Sequence, residues 1–315
     1  MNSKNNERDR AKLVIDNDAG GDDAMAIIMA LLYEKYYYGP KLIGLTTVNG
    51  NTLEENVYRN NQRILKVANR QDVPIYRGSK SALVITPDTN EYFGKDGMGD
   101  TGDEYTSELV PARTTGAVNA LIELSKEHEG TLTVVALGAL TNIALAIKMD
   151  PDFLGRLKHL YVAAGNINDS KNTEAEFNAY MDVESYHVVA SNANPEKVTF
   201  IPFSQVPTHL TREWREKVLG GIETDIMKAL NKFERVALEQ SKQWLSLDPA
   251  AVAIVLDEDL VENFRYSNNS ISLCGDMRGQ VSNSFTDKTK ANSRVLYAMK
   301  GDKYEKFLLN IFSIK

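Results

Sequence analysis

Cysteine is nearly absent. A single Cys274 in 315 residues excludes an internal disulfide framework and any zinc site built from several thiolates. Long apolar runs are missing as well: the longest, Ala24 to Tyr33, is far short of a membrane span and ends at Glu34-Lys35. The opening stretch Met1 to Lys12 is polar and charged, without the hydrophobic segment of a secretory leader. Positive charge is in deficit, 36 Lys and Arg against 43 Asp and Glu, for a net charge of −7, which argues against a nucleic-acid backbone as the main partner. What is present is ordinary for a soluble globular chain: 43% hydrophobic, 8% aromatic and 25% charged residues. An enzyme or a binding protein fits this composition.

The chain alternates between strand and helix patterns. Leu13-Val14-Ile15 is a short β-branched run, followed by the polar stretch Asp16 to Asp23 and by Ala24 to Tyr33, apolar on every side as a buried helix is. Leu42 to Val48 reads as a strand, Leu53 to Ala68 as a helix and Val73 to Tyr76 as a strand. Further on, strands are expected at Leu132 to Leu137, Leu160 to Ala164 and Val198 to Ile201, with helices at Thr141 to Met149 and Glu184 to Ala193. Continuous apolar strands alternating with helices predict an α/β fold, a mostly parallel sheet covered on both faces. Thr86 to Pro111 has neither period and reads as a long functional loop. Thr211 to Trp244 reads as a mostly helical excursion, Asn268 to Val281 as a short antiparallel pair, and Arg294 to Ile314 as a closing strand and helix. With no repeat and no linker in sight, one large domain over residues 13–315 is expected, preceded by a flexible N-terminus over 1–12.

The most informative segment is Asp16-Asn17-Asp18-Ala19-Gly20-Gly21-Asp22-Asp23, four carboxylates in eight residues where the first strand hands over to a helix. In an open parallel sheet, ligands collect at the carboxyl ends of the strands. Two like charges about 4 Å apart repel by roughly 4 kcal/mol at an effective dielectric of about 20, so such a cluster needs a cation, raised pKa values or helix amides. A hard divalent ion resolves the conflict most simply. Capping and dipole roles account for one or two of the four carboxylates, not for all. An EF-hand loop is excluded, because its bidentate Glu position falls on Ile27.

This segment resembles the signature D-x-D-x-G-x-D-D-A of the inosine-uridine nucleoside hydrolase family, with Ala19 where that family usually has Pro. The resemblance continues in order through Thr46-Thr47-Val48-Asn49-Gly50-Asn51, Leu137-Gly138-Ala139-Leu140-Thr141-Asn142, Ala175-Glu176-Phe177-Asn178 and Asp248-Pro249-Ala250. It implies a Rossmann-like core with the active site at the C-terminal ends of the strands. It further implies calcium-dependent hydrolysis of the N-glycosidic bond of ribonucleosides, giving ribose and free base.

By this resemblance, Asp18, Asp23 and Asp248 hold a calcium ion together with the main-chain carbonyl of Leu137, and the ribose 2′- and 3′-hydroxyls with one water complete the shell. Asp18 matches the general base toward the attacking water, and the transition state is expected to be oxocarbenium-like. Asp22 and Asn51 match contacts on the 2′-side, and Asn172, Glu176 and Asn178 match contacts toward the 3′- and 5′-hydroxyls; Asn166 or Asn168 are alternatives to Asn172. Taken alone, Glu176 and Asn178 also fit a solvated loop face. Asp16 is expected to orient the turn from behind, and Asn142 to belong to a helix start.

The leaving base has no obvious attendant. Family branches carry His or Trp just before the metal-binding Asp of the D-P motif, and this chain has Leu247. Trp244 could supply a π-face, and equally fits a core position at helical spacing. Phe93 matches a position near the base and could stack but not donate a proton, while Gly94 to Asp100 reads as flexible enough for a lid. His209 is the histidine in a segment resembling the family pattern; His128, His159 and His187 look structural. The absence of a positioned acid leans toward purine nucleosides.

Two other readings are open from the residues. Asp16-Asn17-Asp18 superficially matches the D-x-D motif of haloacid-dehalogenase-like phosphatases, and Leu247 keeps a non-catalytic nucleoside- or sugar-binding homologue in view. The family implies a homodimer or homotetramer acting on a small-molecule nucleoside, with neither nucleic acid nor membrane as partner. A cytoplasmic location is expected from the single cysteine and the polar start; the sequons at Asn168 and Asn268 fit secretion instead.

Overall fold

The computed structural model describes residues 10–106, 108–168 and 174–314. Strand β1 (Lys12–Asn17) is buried at every position, as a central strand covered on both faces must be. Its side chains alternate between two cores: Leu13 and Ile15 enter one, Val14 the other. Strands β2 (Lys41–Thr47), β3 (Ile75–Tyr76), β4 (Leu132–Ala136), β5 (His159–Ala163) and β6 (Val198–Ile201) are all parallel to it. After β7 (Val261–Ile271) and β8 (Val281–Phe285), β9 (Ser293–Met299) returns beside β6, giving the order β3-β2-β1-β4-β5-β6-β9-β7-β8. Strands β7 and β8 form the antiparallel edge. The chain winds outward from β1 to β3 and then resumes at β4 on the other side. This switch point opens a crevice beyond the ends of β1 and β4.

Among the described residues, the α-helices of five or more residues that cover the sheet or extend its loops are α1 (Gly21–Tyr36), α2 (Glu54–Val67), α3 (Ala117–Glu127), α4 (Thr141–Met149), α5 (Phe177–Met181), α6 (Val183–Asn192), α7 (Asp225–Phe233), α8 (Arg235–Gln240), α9 (Leu247–Leu256) and α10 (Gly301–Phe312). Shorter turns accompany them. Helix α1 explains its own all-round apolarity, since Ala24 to Leu31 are buried on every side. The small residues Ala250, Ala251 and Ala253 let α9 lie close against it. That contact holds the two ends of the site together, because α1 begins with Asp22-Asp23 and α9 with Leu247-Asp248.

Several boundaries differ from expectation. Helix α1 starts at Gly21 rather than Ala24, which brings Asp22 and Asp23 into its first turn, where helix amides favour negative charge. The edge hairpin is longer than Asn268 to Val281: β7 begins at Val261, and Val281 opens β8 instead of closing it. The exposed Glu262 and Arg265 hid the first half of β7 from a pattern reading. Residues 211–244 are helical as expected, with a π-helical turn, Arg215–Leu219, before α7. The long loop holds one 3₁₀ turn, Gly102–Tyr105. Of the expected flexible N-terminus, residues 1–9 lie outside the described residues, and Lys12 already belongs to β1.

Candidate active site

Beyond β1 the chain turns through Ala19, at φ +38°, and Gly20 into α1. Asp18 accepts two hydrogen bonds from Asn51, one from its backbone N–H at 2.8 Å and one from its side-chain amide at 3.1 Å. Asp23 folds back on the same turn and accepts the Gly20 N–H at 2.7 Å and the Asp18 N–H at 3.3 Å. Asp248 arrives from the first turn of α9. Carboxylate oxygens of Asp18, Asp23 and Asp248 lie within 4.8 Å of one another, and all three side chains are buried.

Such proximity is costly for the charged forms. Burial first, only partly offset by the Asn51 and Asp23 bonds, pushes Asp18 up to about 6. Burial and then the charges of Asp18 and Glu234 push Asp22 up to about 8. Asp23 and Asp248 are raised well above the ordinary carboxylate range by burial and by their acidic neighbours. Carboxylates this close can stand together only with a proton between them or a cation beside them. A dication is the species that would replace that proton and relieve the repulsion, and the all-oxygen donor set suits a hard ion.

The remaining polar groups are held from behind. The Asn178 amide donates to the Leu137 carbonyl at 2.7 Å and to the Ala163 carbonyl at 2.9 Å, tying the ends of β4 and β5 together. A carbonyl has two lone pairs, so Leu137 keeps one for a cation. Glu176 caps α5: it accepts the N–H groups of Asn178 and Ala179 at 3.0 Å and that of Gly165 at 2.8 Å. Both Glu176 and Asn178 are buried, so the solvated-loop alternative falls away. Burial, opposed by those three amides, pushes Glu176 up to about 7. Asp16 stands behind Asp18 and accepts Thr46 Oγ1 at 2.5 Å and the Asn142 amide at 2.8 Å. Asn142 also donates to the Thr47 carbonyl at 2.8 Å and accepts the Ser79 N–H at 3.0 Å. It is a brace between β1, β2 and the segment after β3, a role beyond starting a helix.

A pocket of about 240 Å³ opens over this floor. Asp22, Asn51, Leu137, Glu176, Asn178 and Asp248 line its polar side. Asn90, Tyr92, Phe93, Phe177, Phe203, Leu245 and Leu247 line the rest. Phe93 therefore falls in the pocket as expected, its ring against Gly20 and edge-on to Tyr92 at 5.0 Å. Tyr92, Phe177, Phe203, Leu245 and Asn90 carry no site signal in the sequence. Only adjacency could have flagged them: Tyr92 precedes Phe93, and Phe177 sits between Glu176 and Asn178.

Other expected residues lie elsewhere. His209 is half-exposed beside Gly301 at the start of α10, with Nε2 at 3.7 Å from Glu305, and does not line the pocket. Trp244 is a core residue: its indole N–H donates to Glu234 at 2.8 Å and its ring lies 5.9 Å from that of Trp214. It sits behind the wall that Leu245 and Leu247 present. Asn172 lies outside the described residues. Asn166 and Asn168 are engaged structurally, Asn166 accepting the Ser204 N–H at 3.1 Å and Asn168 donating to the Val281 carbonyl. The expected lid at Gly94 to Asp100 is tethered rather than loose. Asp96 accepts the N–H groups of Met98 and Asp100, Asn60 binds the Asp96 carbonyl at 2.7 Å, and Arg235 binds the Gly99 carbonyl at 2.7 Å.

Comparison with known proteins agrees with this geometry. Residues 13–306 match the family model for inosine-uridine preferring nucleoside hydrolases. The protein of that name from Crithidia fasciculata is 29% identical over 311 residues, 94% of each chain. Uridine nucleosidase 1 of Arabidopsis thaliana is 36% identical over 186 residues, 56% of this chain and 52% of the relative. The chain aligns with between 52% and 62% of the length of its Arabidopsis and Schizosaccharomyces pombe relatives. A solved plant nucleoside hydrolase superposes with a TM-score of 0.82 at 25% identity, over 97% of this chain and 99% of the other. With the acidic turn, the switch-point pocket and a match across nearly the whole sequence in agreement, the chain belongs to the inosine-uridine preferring nucleoside hydrolase family.

Proposed function

We propose that this protein hydrolyses the N-glycosidic bond of ribonucleosides, releasing ribose and the free base. The observation that carries the reading is the convergence of Asp18 and Asp23 on Asp248, which lines a pocket whose other side is aromatic. Polar floor and apolar wall match the two halves of a nucleoside.

Calcium fits the floor: three carboxylates and the Leu137 carbonyl are hard oxygen donors, and calcium accepts six to eight such ligands. When bound, the ion supplies a lowered pKa for a coordinated water and a positive charge to grip vicinal hydroxyls. Asp18 accepts the proton of the water that attacks the anomeric carbon, and its two bonds from Asn51 fix its orientation for that task. Asp22, Asn51, Glu176 and Asn178 bind the sugar hydroxyls. Glu176 faces this work already held by three backbone amides, so little ordering remains to be done on binding. Phe93 stacks on the base, and the apolar wall leans the preference toward purines, whose larger faces gain more from stacking. The protein works as a homodimer or homotetramer, which light scattering tests.

The decisive assay is ribose release from inosine, adenosine and uridine by the native protein and by Asp18→Asn. Turnover that falls by about 10²-fold or more in the variant supports the mechanism; unchanged turnover contradicts it. A clear preference for uridine removes the purine lean while leaving the enzyme class intact.

A further inference from the structure

The scissile bond breaks with its electron pair on the base, so negative charge grows on a heterocycle lying in the aromatic half of the pocket. A hydrogen-bond donor there would stabilise that charge. Leu247 supplies none, and His209 is elsewhere. Among the described residues lining the apolar half, only Asn90 and Tyr92 carry hydrogen-bonding side chains. Asn90 is exposed, and its side-chain oxygen accepts the Tyr92 N–H at 2.9 Å. Of the carboxyl groups of the floor, Asp22 accepts the Asp23 N–H at 3.1 Å, Asp248 belongs to the acidic cluster, and Glu176 is held by three backbone amides.

Tyr92 is the one hydroxyl-bearing residue in the lining, and its backbone is fixed on both sides of the ring. Asn90 caps its N–H, and Gln240 of α8 donates to its carbonyl at 2.9 Å. Its ring stands at 90° to that of Phe93, so one aromatic is free to stack while the other presents an edge. Tyr92 lines the pocket together with Asp22 of the polar side, and its phenol feels the charges of Asp22 and Glu234. Burial and those two charges push the phenol above its ordinary value, so it remains a donor throughout the neutral range.

We propose that Tyr92 is a catalytic residue for leaving-group departure: its hydroxyl donates a hydrogen bond to the base as the C1′–N bond breaks. The inference rests on the nucleosidase reading above. In the step, the water oxygen bonds to C1′, the water proton passes to Asp18, and the C1′–N pair departs with the base. The base anion, hydrogen-bonded to Tyr92, then takes a proton from solvent, and Asp18 returns its proton to solvent.

The test is Tyr92→Phe in the full-length protein with calcium present, assayed on inosine, on uridine and on p-nitrophenyl β-D-ribofuranoside, whose leaving group departs as a stable anion without help. The expected result is a fall in kcat of about 10- to 100-fold on both nucleosides, with the p-nitrophenyl riboside turned over within about two-fold of the native rate. Equal losses on all three substrates assign Tyr92 to packing and overturn the proposal, as does an undiminished rate on nucleosides. If the native protein splits the p-nitrophenyl riboside but neither nucleoside, the proposal also fails. Native protein inactive on all three overturns the nucleosidase reading itself.

Discussion

Gly50 lies against Asp18 so closely that a β-carbon at position 50 would stand 1.9 Å from Asp18 Oδ2. No side chain fits there without displacing the carboxylate that heads the acidic cluster. The close approach also lets the neighbouring Asn51 deliver its backbone N–H to that same oxygen at 2.8 Å. Gly50→Ala is therefore expected to lower kcat by about 10²-fold, the scale at which a displaced catalytic group is felt. Calcium affinity, read by titration calorimetry, should weaken in parallel. Native-like activity in this variant would show that Asp18 need not hold its observed position.

Removing Asn142 tests the brace behind the site. Its amide serves Asp16 and the Thr47 carbonyl, and its oxygen serves Ser79, all in buried surroundings. Asn142→Ala leaves these partners unsatisfied and should cost about 2–4 kcal/mol of stability by denaturant unfolding. Burial already pushes Asp16 up to about 7, and the loss of a donor raises it further. A cost under about 0.5 kcal/mol would mean that water replaces the amide without penalty.

Calcium binding should depend on pH in a definite direction. Asp18 and Asp22 rise from an ordinary 3.8 to about 6 and about 8 in the folded protein. Without the ion, the folded form holds protons that the unfolded chain releases; the stability this contributes is full below about 4 and is lost as pH rises through 6 to 8. Calcium competes with those protons, so its contribution grows across the same window. The rise in Tm on adding calcium is expected to be larger at pH 8 than at pH 5.5. An equal rise at both values would place the ion away from this cluster.

Ala19 gives a backbone prediction. At φ +38° it sits in the left-handed region, which costs a non-glycine residue roughly 1 kcal/mol. Ala19→Gly should stabilise the protein by up to about 1 kcal/mol. Ala19→Pro, which restores the residue usual in the family signature, should destabilise it, because proline is confined to φ of about −65°. A stable and active Pro variant would show that the turn readily adopts the other conformation.

Much of this site is legible in the sequence because its chemistry is local. Asp16 to Asp23 carry their own electrostatic argument, and the strand Leu13-Val14-Ile15 places them at a sheet end. Asp248 follows only from resemblance; what brings it to Asp23 is the contact of α9 with α1, a tertiary event with no local signature. The aromatic wall is harder still. Tyr92 comes from a loop, Phe177 from the first position of α5 and Phe203 from a 3₁₀ turn, and an isolated aromatic at such places looks the same whether it lines a pocket or covers a core. His209 shows the converse: it falls in a segment that resembles the family pattern, yet the chain beyond the 3₁₀ turn Phe203–Gln205 carries it to the start of α10. The Gly-rich stretch 94–100 likewise looks loose in sequence, and is tethered by Asn60 and Arg235 from distant helices.

The central claim is that the buried carboxylates of both chain halves work through a hard dication. Chelator-treated protein assayed for ribose release from inosine, before and after calcium is restored, tests it most directly. The account predicts that release stops on chelation and returns with calcium in the native protein. Ribose release that continues undiminished without any divalent ion would contradict it.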